Sequence, residues 1–189
     1  APAVAPPSAL RGADAPDYRA ALAAPNRLAG DSEQDGRRMP AEVLAFFGVR
    51  PGMSVLDLFS GGGYYTELLA TVVGPTGHVV AHNNSAYLEG DKEELARRFP
   101  DPPRLTNVER LNAENNALEL EPGSFDFVLM SAVYHDVYFV NDAIGWAKID
   151  GPKMLAEVFA AMKPGATLGL IDHAAAPGSP PETGGTLHR

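Results

Sequence analysis

The residues best suited to chemistry in this sequence are an aspartate and the glycines that follow it. Asp57 ends an apolar run, and Gly61 to Gly63 lie a few residues later. The helical spacing i, i+3, i+4, i+7 then joins Tyr65, Leu68, Leu69 and Val72. Glycines between a strand and a helix let the backbone approach a ligand closely, and free amides at the helix N-terminus point at it. The pattern predicts a ligand-binding turn, although an ordinary strand–helix connection has the same form.

A second group of reactive side chains follows two later apolar runs. His135 and Asp136 come after the run that ends at Met130, and Asp172 and His173 come directly after Ile171. A histidine side chain can act as a general base near neutral pH, and an adjacent carboxylate can orient it. We therefore interpret these two pairs as a candidate catalytic group with His135 as the base. The alternative for each histidine is a hydrogen-bonded residue at the edge of a sheet.

The same group also permits a metal site. Together with His82 it offers imidazoles and carboxylates, a ligand set that zinc, iron or manganese accepts. No pair of ligands at i and i+4 supports this alternative, so we assign no metal.

Alternating strands and helices must position these residues. The apolar runs predict strands at 53–58, 78–82, 108–111, 125–130 and 167–171. Before the last strand, one face of a predicted helix contains Met154, Leu155, Val158, Phe159 and Met162. We expect that helix to end at Lys163-Pro164-Gly165, a cation followed by a glycine. Apolar runs suit strands buried on both faces, so the predicted fold is α/β with a doubly wound, mostly parallel sheet.

The order of these motifs resembles the class I S-adenosylmethionine-dependent methyltransferases. Asp57 to Gly63 is similar to their glycine motif, Asn83 falls at their ribose-binding acid, and Asn112-Ala113 falls at their adenine-contacting pair. Phe125-Asp126 and Leu155 to Asp172 are similar to their fourth and fifth strand motifs. The resemblance spans roughly residues 40–173. It implies a Rossmann-like fold with strand order 3-2-1-4-5, S-adenosylmethionine as the cofactor and a small molecule as the substrate.

The resemblance also implies which residues bind the cofactor. They are Asp57, Phe59, Gly61, Gly63, Asn83, Asn112 and Ala113. Phe59 stands where the family usually has a glycine, and Asn83 and Asn112 stand where it has acids. Charged hydrogen bonds contribute about 1.5–3 kcal/mol and neutral ones about 1, so we expect cofactor binding to be weaker by about tenfold or more.

The implied strand order also predicts where the two groups of residues meet. Ligands of open α/β sheets bind outside the carboxyl ends of the strands, beside the point where the strand order reverses. Strands one and four flank that point, so Asp57, the glycine turn and His135 should be neighbours. The fifth strand brings Asp172 and His173 to the same edge, and we expect His188 to fold back towards it.

The length and composition favour one domain. With 189 residues and 45% hydrophobic residues, the chain can build a single α/β core. We divide it into a flexible arm rich in Ala and Pro, residues 1–30, and one domain, residues 31–189. The family usually adds an antiparallel pair of strands after the fifth, which the Pro- and Gly-rich residues 174–189 cannot supply. We therefore expect the last strands to be missing, and we favour a trimmed form of a longer protein.

The charge balance argues against a nucleic-acid partner. The net charge is −9, whereas neutralising phosphates requires clustered Lys and Arg. We interpret the scattered pairs Arg37-Arg38 and Arg97-Arg98 as solvated helix faces, with the alternative that Arg38, together with Arg27, Asp31 and Asp35, faces the site. No apolar run reaches the ~18 residues of a membrane span, and the absence of cysteine excludes disulfides and thiolate metal sites.

The N-terminal residues favour export. The chain begins Ala1-Pro2-Ala3-Val4 without methionine, which is typical of an exported protein after removal of a signal peptide. A periplasmic location is therefore favoured over a cytoplasmic one. It conflicts with the resemblance, because S-adenosylmethionine is made and used in the cytoplasm.

Three functions from different classes remain open. The first is a methyltransferase that uses S-adenosylmethionine on a small molecule. The second is an exported methyltransferase-like protein with other chemistry, including metal-assisted chemistry, at the His/Asp site. The third is a noncatalytic binding protein in which Asn83 and Asn112 record the loss of the cofactor.

Overall fold

A five-stranded parallel sheet forms the centre of the computed structural model, which describes residues 16–25 and 27–187. The strands are β1 (Ser54–Asp57), β2 (His78–Asn83), β3 (Val108–Asn112), β4 (Phe125–Ser131) and β5 (Met162–Ile171). Their order is β3-β2-β1-β4-β5, and every neighbouring pair is parallel. The predicted fold class, the strand order and the pairing of β1 with β4 are confirmed.

Helices complete the fold on both faces of this sheet. They are α1 (Tyr18–Leu22), α2 (Ser32–Arg38), α3 (Pro40–Phe47), α4 (Tyr64–Val73), α5 (Ser85–Gly90), α6 (Lys92–Arg98), α7 (Gly151–Ala161) and α8 (Thr183–Leu187). Two short 3-10 helices, Tyr134–Tyr138 and Asp142–Ile144, lie between β4 and α7. Between Asp172 and Leu187 the structure has α8 and no strand.

Alternate residues of the central strands enter two separate cores. Val55 and Leu129 pack with α4, whereas Leu56 and Val128 pack with Met154 and other residues of α7. Successive strand side chains point to opposite faces, and β1 and β4 are apolar on both. The continuous apolar runs are thus explained by the position of these strands in the middle of the sheet, where both faces are covered.

The boundary between α7 and β5 differs from the prediction. The helix ends at Ala161, and Met162 already pairs with Phe125 of β4, so the expected end at Gly165 was wrong. The side chain of Phe159, predicted to face the core, is 78% exposed. Met154, Val158 and Ala161 occupy the face of α7 that packs on the sheet, and Phe159 lies about 100° around the helix from Val158.

The first described helix belongs to the packed body of the protein. Tyr18 Oη donates a hydrogen bond to the Val49 carbonyl at 2.8 Å, and Ala21 is buried in the core. The division at residue 30 remains a prediction. Export also remains a prediction, because it was inferred from the first residues of the chain, which lie outside the described ranges. The predicted return of His188 to the sheet edge concerns a residue that lies outside them as well. Among the described residues, no helix has the length and apolar character needed to cross a bilayer.

Candidate functional site

The turn after β1 has a left-handed backbone at three positions. Phe59, Gly61 and Gly63 have φ angles of 57°, 57° and 82°. Phe59 adopts a conformation that side chains other than glycine rarely take. Hydrogen bonds from β2 hold the turn in place, because Ser60 N donates to His82 O at 2.8 Å and Phe59 N donates to His82 Nδ1 at 3.3 Å.

A cavity of about 240 Å³ lies beside this turn, and we name it the turn cavity. It is lined by Gln34, Arg38, Asp57, Phe59, Ser60, Gly61, Gly62, Tyr64, Tyr65, Tyr87, Asp91, Glu94, Ser131, Ala132 and Val133. The cavity therefore joins the ends of β1 and β4 to the glycine turn and to α2. Of the residues predicted to bind the cofactor, it contains Asp57, Phe59 and Gly61.

Asp57 is a carboxylate inside the protein at the wall of the turn cavity. Its side chain is buried and accepts a hydrogen bond from Thr66 Oγ1 at 2.6 Å. Burial raises the pKa of Asp57 to about 6, against the opposing effects of the Thr66 hydrogen bond and of Arg38 and Arg98.

We expect Asp57→Asn to stabilise the protein at pH 8. Since the folded protein binds the Asp57 proton more tightly than the unfolded chain, this contribution to stability is complete below the unfolded pKa of 3.8 and is lost as pH rises through about 6. The Asn variant, which cannot ionise, should exceed the wild type in free energy of unfolding by about 1–3 kcal/mol at pH 8 and match it near pH 4. Urea unfolding at both pH values measures this difference. A variant that is less stable at pH 8 would contradict the pKa shift.

Two further side chains of the turn cavity can donate hydrogen bonds to a ligand. The Arg38 guanidinium lies over the Tyr64 ring, 4.7 Å from its centroid, and its Nε donates to Gln34 Oε1 at 2.8 Å. Ser60 Oγ is buried and has no hydrogen-bond partner among the described residues. The interpretation of Arg38 as part of a solvated face was wrong, because the residue contributes to the cavity wall.

The Asn83 side chain is bound to the glycine turn. Its Oδ1 accepts from Gly61 N and its Nδ2 donates to Gly61 O, both at 2.9 Å. Asn112 is exposed and Ala113 is half-buried, and neither these two nor Asn83 line the turn cavity. Gly63, the N-cap of α4, also lies outside the lining. Their roles in cofactor binding remain predictions.

His82 connects the turn to the end of β3. Its Nδ1 accepts from Phe59 N, and its Nε2 lies 3.0 Å from Ala113 O, so both ring nitrogens are used within the protein. Burial lowers the pKa of His82 to about 4, which keeps the ring neutral. Within residues 16–25 and 27–187, no group of three His, Asp or Glu side chains is arranged to hold a metal ion.

Arg98 was wrongly predicted to be solvated. Its side chain is 0% exposed and forms salt bridges with three carboxylates, those of Asp31, Glu67 and Glu94. Its Nε also donates to the carbonyl of Gly62 in the turn. A Cβ on Gly62 would overlap the Glu94 carboxylate. Arg98 of α6 therefore links the N-cap of α2 and the side chain of Glu67 in α4 to the glycine turn.

The predicted catalytic residues do come together at the carboxyl edge of the sheet. His135 Nδ1 lies 2.8 Å from Asp172 Oδ1, and the His135 amide donates to Asp172 Oδ2 at 2.9 Å. On the other side of the ring, Nε2 is 3.5 Å from Asp136 Oδ1. Burial alone would raise the pKa of Asp172, but hydrogen bonds from the His173 amide and from His135 hold it below its ordinary value.

A second cavity, of about 530 Å³, lies beside this cluster, and we name it the histidine cavity. It is lined by Tyr134, His135, Tyr138, Leu170, Asp172, His173, Ala175, Ser179, Pro180, Pro181, Thr183 and Gly184. The ring centroids of His135 and His173 are 6.1 Å apart, and His173 is exposed. Gly184 of α8 packs directly against the His135 backbone, where an added Cβ would lie 3.3 Å from Cα.

Tyr87 is a site residue that the sequence did not reveal. It lines the turn cavity, and its hydroxyl donates to Asp136 Oδ2 at 2.8 Å. Its ring makes edge contacts with Phe59 and Trp146, with centroids 6.0 and 5.2 Å away. No local pattern connects Tyr87 with Asp136, which lies 49 residues later.

Comparisons with known proteins agree with this architecture. A family model for a methyltransferase domain matches residues 50–182. The ubiquinone/menaquinone biosynthesis C-methyltransferase of Ectopseudomonas mendocina is 32% identical over 139 residues, which cover 73% of this chain and 48% of that protein. The demethylmenaquinone methyltransferase of Lactococcus lactis is 30% identical over 135 residues, covering 70% and 46%. The chain thus spans about half the length of these curated relatives.

Solved structures show the same likeness. A SAM-dependent methyltransferase from Aquifex aeolicus has a TM-score of 0.61 and 28% identity, covering 88% of this chain and 79% of that one. An arsenic(III) S-adenosylmethionine methyltransferase from Chlamydomonas reinhardtii has a TM-score of 0.53 and 25% identity, covering 83% and 48%.

Proposed function

The chain belongs to the class I S-adenosylmethionine-dependent methyltransferase family, and from this premise we propose that it transfers a methyl group from S-adenosylmethionine to a small-molecule acceptor. The observation that carries the proposal is the turn cavity, where an anion, a cation and a hydroxyl that has no partner in the described part of the chain converge beside the glycine turn. The pairing of Asp57 with Arg38 favours the first of the three functions, because the amino-acid part of S-adenosylmethionine is a zwitterion and needs a partner for each charge.

The side chains of the turn cavity suit the amino-acid half of the cofactor. Arg38 would hold its carboxylate, and Ser60 Oγ, which has no partner among the described residues, would donate to the same group. Asp57 would hold its ammonium, since a carboxyl group with a pKa of about 6 is ionised at pH 8. The residues present therefore fit this part of the molecule.

The adenosine half depends on Asn83. A ribose that reached this side chain could use the second N–H of Nδ2 or the second lone pair of Oδ1, because Gly61 occupies only one of each. The turn cavity, at about 240 Å³, is smaller than the roughly 300–1,000 Å³ of typical ligand pockets. This small volume supports weak binding of S-adenosylmethionine.

The chemistry assigned to the chain's own residues is positioning and proton transfer. When bound, S-adenosylmethionine supplies a methyl group on a sulfonium, ready for displacement by a nucleophile. The acceptor must be aligned with that methyl group and must lose a proton if its nucleophilic atom carries one. His135 Nε2 would take that proton, Asp172 would hold the ring through Nδ1, and Asp136 would stabilise the imidazolium that forms.

Two observations support a small-molecule acceptor. Relatives named as quinone-biosynthesis methyltransferases cover about 70% of this chain. The net charge of −9 opposes binding to nucleic acid. The histidine cavity, walled by Tyr134, Tyr138 and Leu170 next to the proposed base, is where we place the acceptor.

Calorimetric titration with S-adenosylmethionine and S-adenosylhomocysteine tests the cofactor. We expect Arg38→Met to weaken binding about tenfold, because a charge-assisted hydrogen bond to the ligand carboxylate is lost. Arg37→Met is the matched control, since Arg37 is the exposed neighbour and does not line the cavity. If neither ligand binds the wild type, the proposal fails, and the methyltransferase-like protein with other chemistry and the noncatalytic binding protein both remain.

A further inference from the structure

Tyr87 contributes to one cavity and is hydrogen-bonded to the cluster that borders the other. Its side chain lines the turn cavity, whereas the histidine cavity is lined by His135 and Asp172. Between them stands Asp136, a carboxylate that is 5% exposed and lines neither cavity. Contacts between polar side chains inside the protein therefore connect the wall of one cavity with the wall of the other.

The connection consists of three contacts in sequence. Tyr87 Oη donates to Asp136 Oδ2 at 2.8 Å, Asp136 Oδ1 lies 3.5 Å from His135 Nε2, and His135 Nδ1 lies 2.8 Å from Asp172 Oδ1. The first and last contacts are hydrogen bonds, and the middle one is a close approach of a carboxylate oxygen to a ring nitrogen. Buried polar groups so close together orient one another strongly, because water does not screen them. A shift of the Tyr87 hydroxyl thus affects the ring of His135 through the Asp136 carboxylate.

Tyr87 is also held rigidly enough to transmit its position. Edge contacts with Phe59 and Trp146 fix its ring, and Phe59 belongs to the left-handed turn. Burial, followed by the negative charge of Asp136, raises the pKa of the Tyr87 hydroxyl, so it remains a donor. The other tyrosines of the turn cavity direct their hydroxyls elsewhere, Tyr64 to Asp35 and Tyr65 to the Arg38 carbonyl.

We propose that Tyr87 is a positioning residue that couples the two cavities. Its hydroxyl holds the Asp136 carboxylate next to His135. A ligand in the turn cavity alters the position and electrostatic surroundings of the His135 ring through Tyr87. The coupling rests on the proposed function only for the identity of that ligand.

Nitrogen-15 NMR of the histidine rings in the free protein tests the positioning role. Tyr87→Phe keeps the aromatic packing and removes the hydroxyl, so we expect it to move the His135 ring signals. The same substitution in an Asp136→Asn background should add no further change, because Tyr87 acts through Asp136. Tyr18→Phe, which removes a hydroxyl bonded to Val49 O far from the cluster, should leave these signals in place. Unmoved His135 signals in Tyr87→Phe, or an equal movement in both backgrounds, would overturn the proposal.

Titration with S-adenosylhomocysteine tests the coupling. With both proteins saturated by the ligand, binding should move the His135 signals in the wild type and move them much less in Tyr87→Phe. Equal movements of the His135 signals in the two saturated proteins would overturn the coupling, whatever the substitution does to the affinity. If the ligand binds neither the wild type nor the variant, the proposed function fails. The NMR comparison of the ligand-free proteins then decides by itself whether Tyr87 positions Asp136 and His135.

Discussion

Replacing Arg98 by alanine is expected to lower the free energy of unfolding by about 3–5 kcal/mol, the typical cost of removing one partner from a buried ion pair. The guanidinium is 0% exposed and neutralises Asp31, Glu67 and Glu94. Without it, Asp31 remains buried as an uncompensated charge, whereas Glu67 keeps a salt bridge to Arg104 at 2.7 Å. Most of the loss should therefore come from Asp31.

Urea unfolding at pH 7.5 measures this effect, with two companion variants. Arg98→Met keeps most of the side-chain volume and should be almost as destabilising, because the missing quantity is charge. Arg97→Ala changes the exposed neighbour on α6 and should stay within about 0.5 kcal/mol of the wild type. Losses below about 1 kcal/mol for both Arg98 variants would show that the ion pairs contribute little.

Substitution of His135 by alanine should reduce methyl transfer by about 10²–10⁴-fold, the range that general-base catalysis supplies. The affinity for S-adenosylhomocysteine should stay unchanged, because His135 does not line the turn cavity. The variant loses the ring hydrogen bond to Asp172 but keeps the one that the backbone amide of residue 135 donates, so we expect the free energy of unfolding to fall by about 1–3 kcal/mol.

The measurement is formation of S-adenosylhomocysteine with an acceptor that the wild type methylates, at a temperature where both proteins are folded. His78→Ala is the control, because His78 is an exposed histidine at the opposite end of β2 and lies 3.3 Å from Glu109. An alanine variant at position 135 with turnover within about threefold of the wild type would remove His135 from the chemistry.

The sheet could be predicted because its signals are local. Apolar runs end at Asp57 and Met130, and the glycines between β1 and α4 are consecutive in sequence. The strand order came from the resemblance to a family, not from periodicity. The end of α7 could not be placed, because Met162 continues the helical spacing of Met154 and Val158 although its backbone already pairs with β4.

The ion pairs at Arg98 and the bond from Tyr87 to Asp136 could not be predicted, because their partners come from distant parts of the chain. Only Glu94 lies at i,i+4 from Arg98 on the same helix, and that spacing is also typical of exposed pairs. Asp31 and Glu67 are 67 and 31 residues away. A charged pair such as Arg97-Arg98 looks the same in sequence whether one of its members is buried or not.

The contact between Gly62 and the Glu94 carboxylate has a consequence for how this sequence can evolve. The middle residue of the turn has no room for a side chain while Glu94 occupies its place in the ion pairs of Arg98. A side chain at position 62 would displace this carboxylate, which is the far end of a flexible side chain, and would thereby remove one partner of Arg98. Substitutions at positions 62, 94 and 98 are therefore expected to be correlated, so the turn and α6 should change together in evolution.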